Sequence, residues 1–487
     1  KVQASGRLVS EYLEENVFTL LPEEMKGFLL KTSLLSRLNT TICNRFLEIG
    51  NSHSLLEYLK DNHFFTFSLD ETGQEYAYHH LFRDFLRSKL TREYGEKELR
   101  ILRRKAAAVY EEHAMREDAV AEYLAAEEFG EAIRVLDDDI PRMIPEGRLN
   151  LLKGFLESFP REIFSANPIL IYLRAHVDSV SGRLQEAIEG FQRAQAMFEE
   201  QGLRSRVDMC EHCLGVIYYP MGYFRKVEEQ LTKALNNPSC DPTISMLFRA
   251  HLIFVTSYLR KIDTADRYFQ EAMADVEQIA DKPFRDQMRA LLLINHTVRY
   301  ITSGDFRAAA ARAEEAKPLA LRGSNSQLQM LYYNNHGLAC FYAGRFAEGL
   351  EDAGKGLNLV REKGYRDILT GWLLLTYSMN CTGLNRMTEA IEYGSQASAC
   401  FREMGSLWGE ASACTVFQMI HLRTGNILAA EEAIDQGLKI LEGIDFPEIQ
   451  GQLMMGRAMI RVLQGQFAEA ESLVEGAIRA NADSKFF

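Results

Sequence analysis

Gly182-Arg183-Leu184-Gln185-Glu186-Ala187 decides the reading of this chain, because its pattern returns. Glycine, a polar residue and an aromatic or aliphatic residue recur as Gly222-Tyr223-Phe224, Gly304-Asp305-Phe306, Gly344-Arg345-Phe346, Gly425-Asn426-Ile427 and Gly465-Gln466-Phe467. A lengthened form is Gly383-Leu384-Asn385-Arg386-Met387-Thr388-Glu389-Ala390, and a form without glycine is Arg260-Lys261-Ile262. Starts at 182, 222, 260, 304, 344, 383, 425 and 465 are separated by 40, 38, 44, 40, 39, 42 and 40 residues. A near-constant period of this length marks a stacked repeat.

Each unit reads as two helices. The glycine supplies the left-handed backbone that ends the first helix, A. A small residue after the turn, such as Ala187 or Ala265, lets helix B approach A closely, and an aromatic four positions on, Phe191 or Phe269, packs into the pair. One pair cannot bury its apolar face, so neighbours must stack and coil around a concave surface. The period exceeds the tetratricopeptide value of about 34, which predicts longer helices. The fold class expected is all-α: eight tetratricopeptide-like hairpins in a right-handed superhelix, helix A inside, behind a small N-terminal winged-helix-like domain.

Composition agrees. Of 487 residues, 47% are hydrophobic and 25% charged, and only 11 are proline, which suits long helices. Lys and Arg total 55 against 68 Asp and Glu, so the net charge of −13 disfavours phosphate backbones as direct partners. The eight cysteines are scattered through apolar helical sequence, with no disulfide framework and no apolar run of about 18 residues to cross a membrane. A cytoplasmic location is expected. The chain starts at Lys1 without methionine, which predicts a piece of something longer.

Residues 1–95 lack the repeat. Leu21-Pro22-Glu23-Glu24 starts a helix, with proline in the first turn and acids at its positive end. Leu29, Leu30, Leu34, Leu35 and Leu38 give it an apolar face. Further helices are expected over Thr40–Leu47 and Ser54–Asn62. Phe64–Leu69 alternates like a strand, Asp70–Gly73 is a turn, and Glu75–Tyr78 is the return strand. Helix resumes at His79-His80-Leu81-Phe82. Helices, a hairpin and a closing helix describe a winged helix. Residues 96–160 are expected to be a helical linker and 161–487 the superhelical sensor domain.

Tyr12-Leu13-Glu14-Glu15-Asn16-Val17, Leu21-Pro22-Glu23-Glu24, Phe28-Leu29-Leu30-Lys31-Thr32-Ser33-Leu34-Leu35 and Tyr78-His79-His80-Leu81-Phe82-Arg83-Asp84-Phe85-Leu86 resemble the segment after the nucleotide-binding domain in MalT/LuxR-type transcriptional regulators of the signal-transducing ATPase class. The resemblance implies a chain that senses a signal and regulates. It would bind a small-molecule inducer, or a protein or peptide, on the concave face, and would control an ATPase switch and a DNA-binding domain outside this stretch. ATP and ADP are implied for the full-length protein, as is self-assembly; DNA would be contacted through a C-terminal helix-turn-helix. No Gly-x-x-x-x-Gly-Lys-[Ser/Thr] loop occurs here, and no helix-turn-helix follows the last repeat before Phe487. Leu90-Thr91-Arg92-Glu93 opens like a LuxR motif without continuing as one. No cofactor of this stretch and no enzymatic activity are expected. The alternative class is a protein-interaction scaffold unrelated to transcription, whose mark would be a full gene lacking both ends.

Tyr78-His79-His80-Leu81 aligns with the Met-His-Asp motif of related switch ATPases, whose central histidine contacts the β-phosphate of ADP. The resemblance therefore implies His79 as a nucleotide sensor. An imidazole suits that role as a phosphate donor that titrates near neutrality, although a histidine can also cap or pack a helix start. Cys210-x-x-Cys213 lacks the further ligands of a zinc site, so these cysteines read as helix wall and no metal site is expected. No Gly-x-Ser-x-Gly elbow or other catalytic constellation occurs. Inward positions on helix A fall ten, six, three and two residues before each turn start. There stand His176, His212, Tyr219, Tyr258, Asn334, Tyr342, Tyr377 and Asn380, a set able to contact sugars, small aromatic molecules or peptide.

Overall fold

The computed structural model describes residues 10–70, 74–143, 148–218, 222–237, 240–442 and 446–480. The chain forms two compact units, Lys1–Pro141 with Gly154–Phe164, and Arg142–Lys153 with Ser165–Phe487.

The first unit opens with a π-wound turn, α1 (Glu14–Phe18), and α2 (Glu23–Thr32). It continues with β1 (Leu38–Asn39), α3 (Thr40–Leu47), α4 (Ser52–Asp61), β2 (Thr66–Ser68), β3 (Glu75–Tyr78) and α5 (His80–Glu93). The strands pair antiparallel in the order β1-β3-β2, with Leu38 opposite Tyr76 and Phe67 opposite Ala77. This is the expected winged helix with two differences. β1 is only two residues long, too short to show alternation. β2 begins at Thr66 because Phe65 turns left-handed (φ 48°) and breaks the extended run. Of the expected turn, residues 71–73 lie outside the described residues. The apolar face is as read: Leu29, Leu30, Leu34, Leu35 and Leu38 are all buried. Leu90 is also buried, so Leu90–Glu93 is simply the end of α5.

Helices α6 (Glu96–Glu112), α7 (Arg116–Ala125) and α8 (Phe129–Met143) follow, then α9 (Leu149–Glu157) and α10 (Arg161–Ala166). α6 is tied to the winged helix: the Tyr110 hydroxyl accepts from the Ser36 amide at 2.5 Å, and Arg45 forks onto Glu112 at 2.8 and 2.9 Å. Most of the stretch expected to be a separate linker therefore clusters with the first unit.

Among the described residues, the second unit contains eight hairpins. The inner helices are α11 (Pro168–Val180), α13 (Arg204–Tyr218), α15 (Pro242–Tyr258), α17 (Lys282–Thr302), α19 (Ser326–Tyr342), α21 (Ile368–Gly383), α23 (Leu407–Thr424) and α25 (Pro447–Leu463). Their partners are α12 (Leu184–Glu200), α14 (Phe224–Leu235), α16 (Ile262–Val276), α18 (Phe306–Ala320), α20 (Phe346–Lys363), α22 (Met387–Glu403), α24 (Ile427–Ile440) and α26 (Phe467–Ala480).

One turn joins every pair. The residues at 182, 222, 260, 304, 344, 385, 425 and 465 are all left-handed, with φ between 60° and 82°. The amide of the next residue reaches back five residues to a carbonyl of helix A, from Arg183 to Asp178 through Gln466 to Arg461. This is the Schellman closure, which satisfies a carbonyl left over at the helix end. The sixth unit corrects the sequence reading. Its pivot is Asn385 rather than Gly383, since asparagine tolerates the left-handed region. Gly383 lies inside α21, where the ring of Phe346 packs against it. The pivots are then 40, 38, 44, 40, 41, 40 and 40 residues apart. The same closure, built without glycine, joins α6 to α7 at Ala114 and α7 to α8 at Glu127.

Candidate functional site

The inner helices surround a cavity of about 290 Å³. Its wall comes from α13, α15, α17, α19, α21, α23 and the start of α25, and among the described residues no B helix contributes. Helix A is inside, as the repeat implied. The array also closes across its own turn. The Phe224 ring lies 5.1 Å from both Trp408 and Phe446, and Arg260 pairs with Glu448 at 3.3 Å. Hairpins two and three thus meet hairpins seven and eight, and the expected concave surface is a partly enclosed chamber.

Aromatic rings build one side of it: Phe254, Tyr258, Trp372, Trp408 and Phe446. Trp372 and Trp408 stand 4.1 Å apart, and Tyr258 lies 5.1 Å from Trp408. The polar contribution sits beside them on α25. Burial pushes the Glu448 carboxyl up from its ordinary range, opposed by the charge of Arg260. Glu448 Oε2 is buried without an aligned hydrogen bond, so its pairing with Arg260 is ionic only. Burial also raises the Tyr258 and Tyr342 hydroxyls, and Gln452 hydrogen-bonds Tyr342.

The asparagines of the inner helices, in the wall or buried behind it, have structural partners. Asn295 donates to the Ala250 carbonyl at 2.9 Å, Asn335 to Ile294 at 3.2 Å and Asn380 to Gly337 at 3.2 Å. Gln418 donates to Gln452 in the same manner at 3.0 Å. Each bond runs from one inner helix to the next, so a ladder of amides fixes the stacking register. Buried amides of this kind are stabilising only while paired.

Of the residues singled out in the sequence, Tyr258, Asn334 and Tyr342 line the cavity. Asn334 spends its oxygen on the Thr376 hydroxyl at 2.9 Å and its amide on Asn335 at 3.1 Å. His176 and His212 do not reach the wall. His176 is enclosed by Tyr172 and Phe191, and burial pushes it down to about 3; burial also lowers His212, packed 4.7 Å from His251, to about 4. Tyr219 lies outside the described residues. Tyr377 stacks on Tyr393 in a separate groove, and Asn380 is fully buried between helices.

The displacement of these last two has one cause. Moving the sixth pivot by two residues rotates the inward face by about 200° around the helix. Counted from Asn385, the positions ten and six residues before are Leu375 and Met379, and both line the cavity. The position six residues before the pivot also supplies Val216, Phe254, Val298 and Leu338. The pivots read from the sequence already place these four apolar residues inward, and the corrected sixth pivot adds Leu375 and Met379.

In the winged helix, His79 precedes α5. Its amide donates to the Phe65 carbonyl at 2.7 Å, and its ring makes no cap. His79 Nδ1 and, one turn on, Arg83 Nε are both buried without a hydrogen-bond partner. Two nitrogens at this spacing share a helix face.

A winged helix domain joined to tetratricopeptide-like repeats is the class these units define. Residues 13–98 match the MalT winged helix domain family. The chain is similar to the HTH-type transcriptional regulator MalT of Cronobacter sakazakii, 25% identical over 257 residues, or 53% of this chain and 27% of that protein. It therefore spans about a quarter of that relative's length. Among solved structures, it is similar to a signal transduction ATPase with numerous domains and a tetratricopeptide repeat sensor from Pyrococcus horikoshii. That match has 17% identity, 97% of this chain, 65% of that chain and a TM-score of 0.41. It is also similar to a Rap protein complexed with competence and sporulation factor, with 12% identity, 65% and 99% coverage and a TM-score of 0.47. The chain is MalT-like, a winged helix of that type followed in sequence by an array of helical hairpins. Among the described residues no helix is long and apolar enough to cross a membrane.

Proposed function

We propose that this chain is the sensing and regulatory part of a MalT-like transcription regulator, with the chamber of the superhelix as the inducer site. The carrying observation is the chamber itself: a largely apolar space lined by seven inner helices, with one under-satisfied carboxylate at Glu448. Small-molecule sites combine an apolar lining with few convergent polar groups, and about 300 Å³ is their lower size range. The occupant this favours is compact and mainly apolar, with a hydrogen-bond donor or cationic group for Glu448. Occupancy would bias how the array closes between Phe224, Trp408 and Phe446, a two-state element that a ligand can select.

On the same reading, His79 and Arg83 face a nucleotide held by an ATPase module in the full-length protein. Their unpartnered nitrogens support this, since buried donors are otherwise paired.

The test uses the protein's own reporters. The chain has two tryptophans, Trp372 and Trp408, and both are in the chamber wall. Titration with a panel of small amphiphilic amines and aromatic alcohols should shift their fluorescence for compounds that also activate the full-length regulator. Ser412→Phe, which fills the chamber, should remove the shift while leaving the helical circular dichroism unchanged. If activating compounds leave the tryptophans of the unaltered chain untouched, the chamber is not the sensor.

A further inference from the structure

Away from the chamber, the fifth hairpin carries a cluster that the reading above does not use. Among the described residues, His336, Cys340 and Glu348 offer ligand atoms that all lie within 4.8 Å of one another. His336 and Cys340 are one turn apart on α19, and Glu348 stands in the first turn of α20. His336 Nε2 is 3.6 Å from Cys340 Sγ, 3.9 Å from Glu348 Oε1 and 3.1 Å from Glu314 Oε1 on α18. On its other side, Nδ1 of the same ring is 2.5 Å from Asp352 Oδ2.

We propose that His336, Cys340 and Glu348 bind one divalent cation of the zinc type, with Glu314 completing the set. The spacing carries the assignment. Zinc bonds of about 2.0–2.3 Å in a tetrahedron place ligand atoms about 3.3–3.8 Å apart, and the distances from Nε2 of 3.1, 3.6 and 3.9 Å lie within about 0.2 Å of that range. The donor set of imidazole, thiolate and carboxylate selects zinc and cobalt over magnesium or calcium, which require oxygen ligands. A zinc-bound imidazole ordinarily gives its other N–H to a carboxylate, and Asp352 is placed to take it. On binding, the Cys340 thiol proton and the proton that Nε2 carries between the carboxylates pass to solvent, Nε2 gives its freed lone pair to the cation, and the Nδ1 proton stays shared with Asp352.

The surroundings fit a site that loads from outside. His336 and Cys340 are fully buried, while Glu314 and Glu348 are more than a third exposed and form its rim. Arg345 grips Glu348 at 2.5 Å and approaches Glu314 at 3.8 Å, orienting the rim carboxylates and reducing their excess charge. The ion would bind three helices to one another, α18, α19 and α20. Asn334 and Asn335, the residues just before His336, stand in the chamber wall. The site does not depend on the chamber's being a ligand site.

The 487-residue chain, dialysed against a chelator, is titrated with Co²⁺ and then Zn²⁺. One equivalent of Co²⁺ should produce a thiolate-to-cobalt charge-transfer band and tetrahedral visible bands, displaced by Zn²⁺. Cys340→Ser should abolish the charge-transfer band, and Cys414→Ser, on another hairpin, should retain it. Asp352→Asn should weaken Zn²⁺ binding about 10- to 100-fold, as loss of an outer partner does. A chain that gives no thiolate band, or one whose band survives in Cys340→Ser, overturns the assignment, whatever the fate of Asp352→Asn.

Discussion

The winged helix and the hairpin array are held together in opposite ways. In the winged helix, contacts tie unlike elements together with no repeating pattern: Thr32 of α2 meets the Tyr78 hydroxyl of β3 at 2.7 Å, and Arg87 of α5 reaches the Ser33 carbonyl at 2.7 Å. In the array, the amide rungs repeat with the period of the hairpins and join each inner helix to the adjacent one, from Asn295 to Ala250 and from Asn335 to Ile294. A nearest-neighbour array is a sum of local interfaces and can loosen hairpin by hairpin, whereas a cross-linked small domain opens as one. The exception is the seam where Phe224, Tyr258 and Trp408 bring distant hairpins together, which gives the array a long-range constraint of its own.

The sharpest challenge to this contrast is therefore Trp408→Ala. It deletes a ring packed on Phe224, Tyr258, Trp372 and Phe446, and should cost about 3–5 kcal/mol. Denaturant unfolding should turn from one transition into a broadened one as hairpins uncouple. A single sharp transition after this change would mean the seam contributes little. Next comes Asn335→Leu, which leaves the Ile294 carbonyl and Asn334 without their partner and should cost about 1–3 kcal/mol. Amide exchange should quicken in α17 and α19 and stay unchanged in the winged helix.

Acid should separate the two units as well. Burial holds His176 at about 3, His212 at about 4 and His296 at about 4, all in the array. Their folded values lie below the ordinary 6.5, so the unfolded chain binds more protons below that pH. Stability is full above 6.5 and falls as pH drops toward 4, by at most about 1.4 kcal/mol per pH unit for each histidine. The array's melting temperature should decline through this window, and His176→Phe should flatten the decline. Gly344→Ala tests a single turn: a methyl at φ 76° should cost about 1 kcal/mol or slightly more. Asn385→Gly, at the matching place, should be neutral or mildly stabilising.

His79→Ala should have the smallest effect on the chain, within about 0.5 kcal/mol, because its ring nitrogen holds nothing there. Under the proposed function, the same change in a full-length regulator should weaken ADP binding by about 1.5–3 kcal/mol, the worth of a hydrogen bond to a charged group. Unfolding of the isolated chain with unchanged ADP affinity would make this histidine structural.

How much of this could be read in advance follows from the same contrast. Glycine pivots are visible in sequence because left-handed backbone selects glycine, and seven of the eight, six of them glycine, were read at their true positions. Asn385 hid behind Gly383 because the nearer glycine drew the count, and that two-residue error carried Tyr377 and Asn380 away from the chamber. Ala114 and Glu127 make the same turn with no glycine at all, so the repeat-like character of α6 and α7 left no mark. The winged helix was legible from its motifs, apart from a two-residue strand. Among the polar candidates, sequence could not separate an asparagine facing a ligand from one tied to a neighbouring carbonyl, since both sit on the inner helices. The His336 cluster escaped because its members lie one turn apart on one helix and across a turn on the next, with Glu314 on a third.

The chamber wall divides its residues among seven inner helices, from the single Val216 of α13 to several side chains on α19 and α21. Such a wall behaves like a combination lock with one dial per hairpin. A substitution on one inner helix alters one sector of the lining and leaves the neighbouring amide rungs in place. Recognition could then drift from one molecule to another by small independent steps, with no hairpin having to be rebuilt.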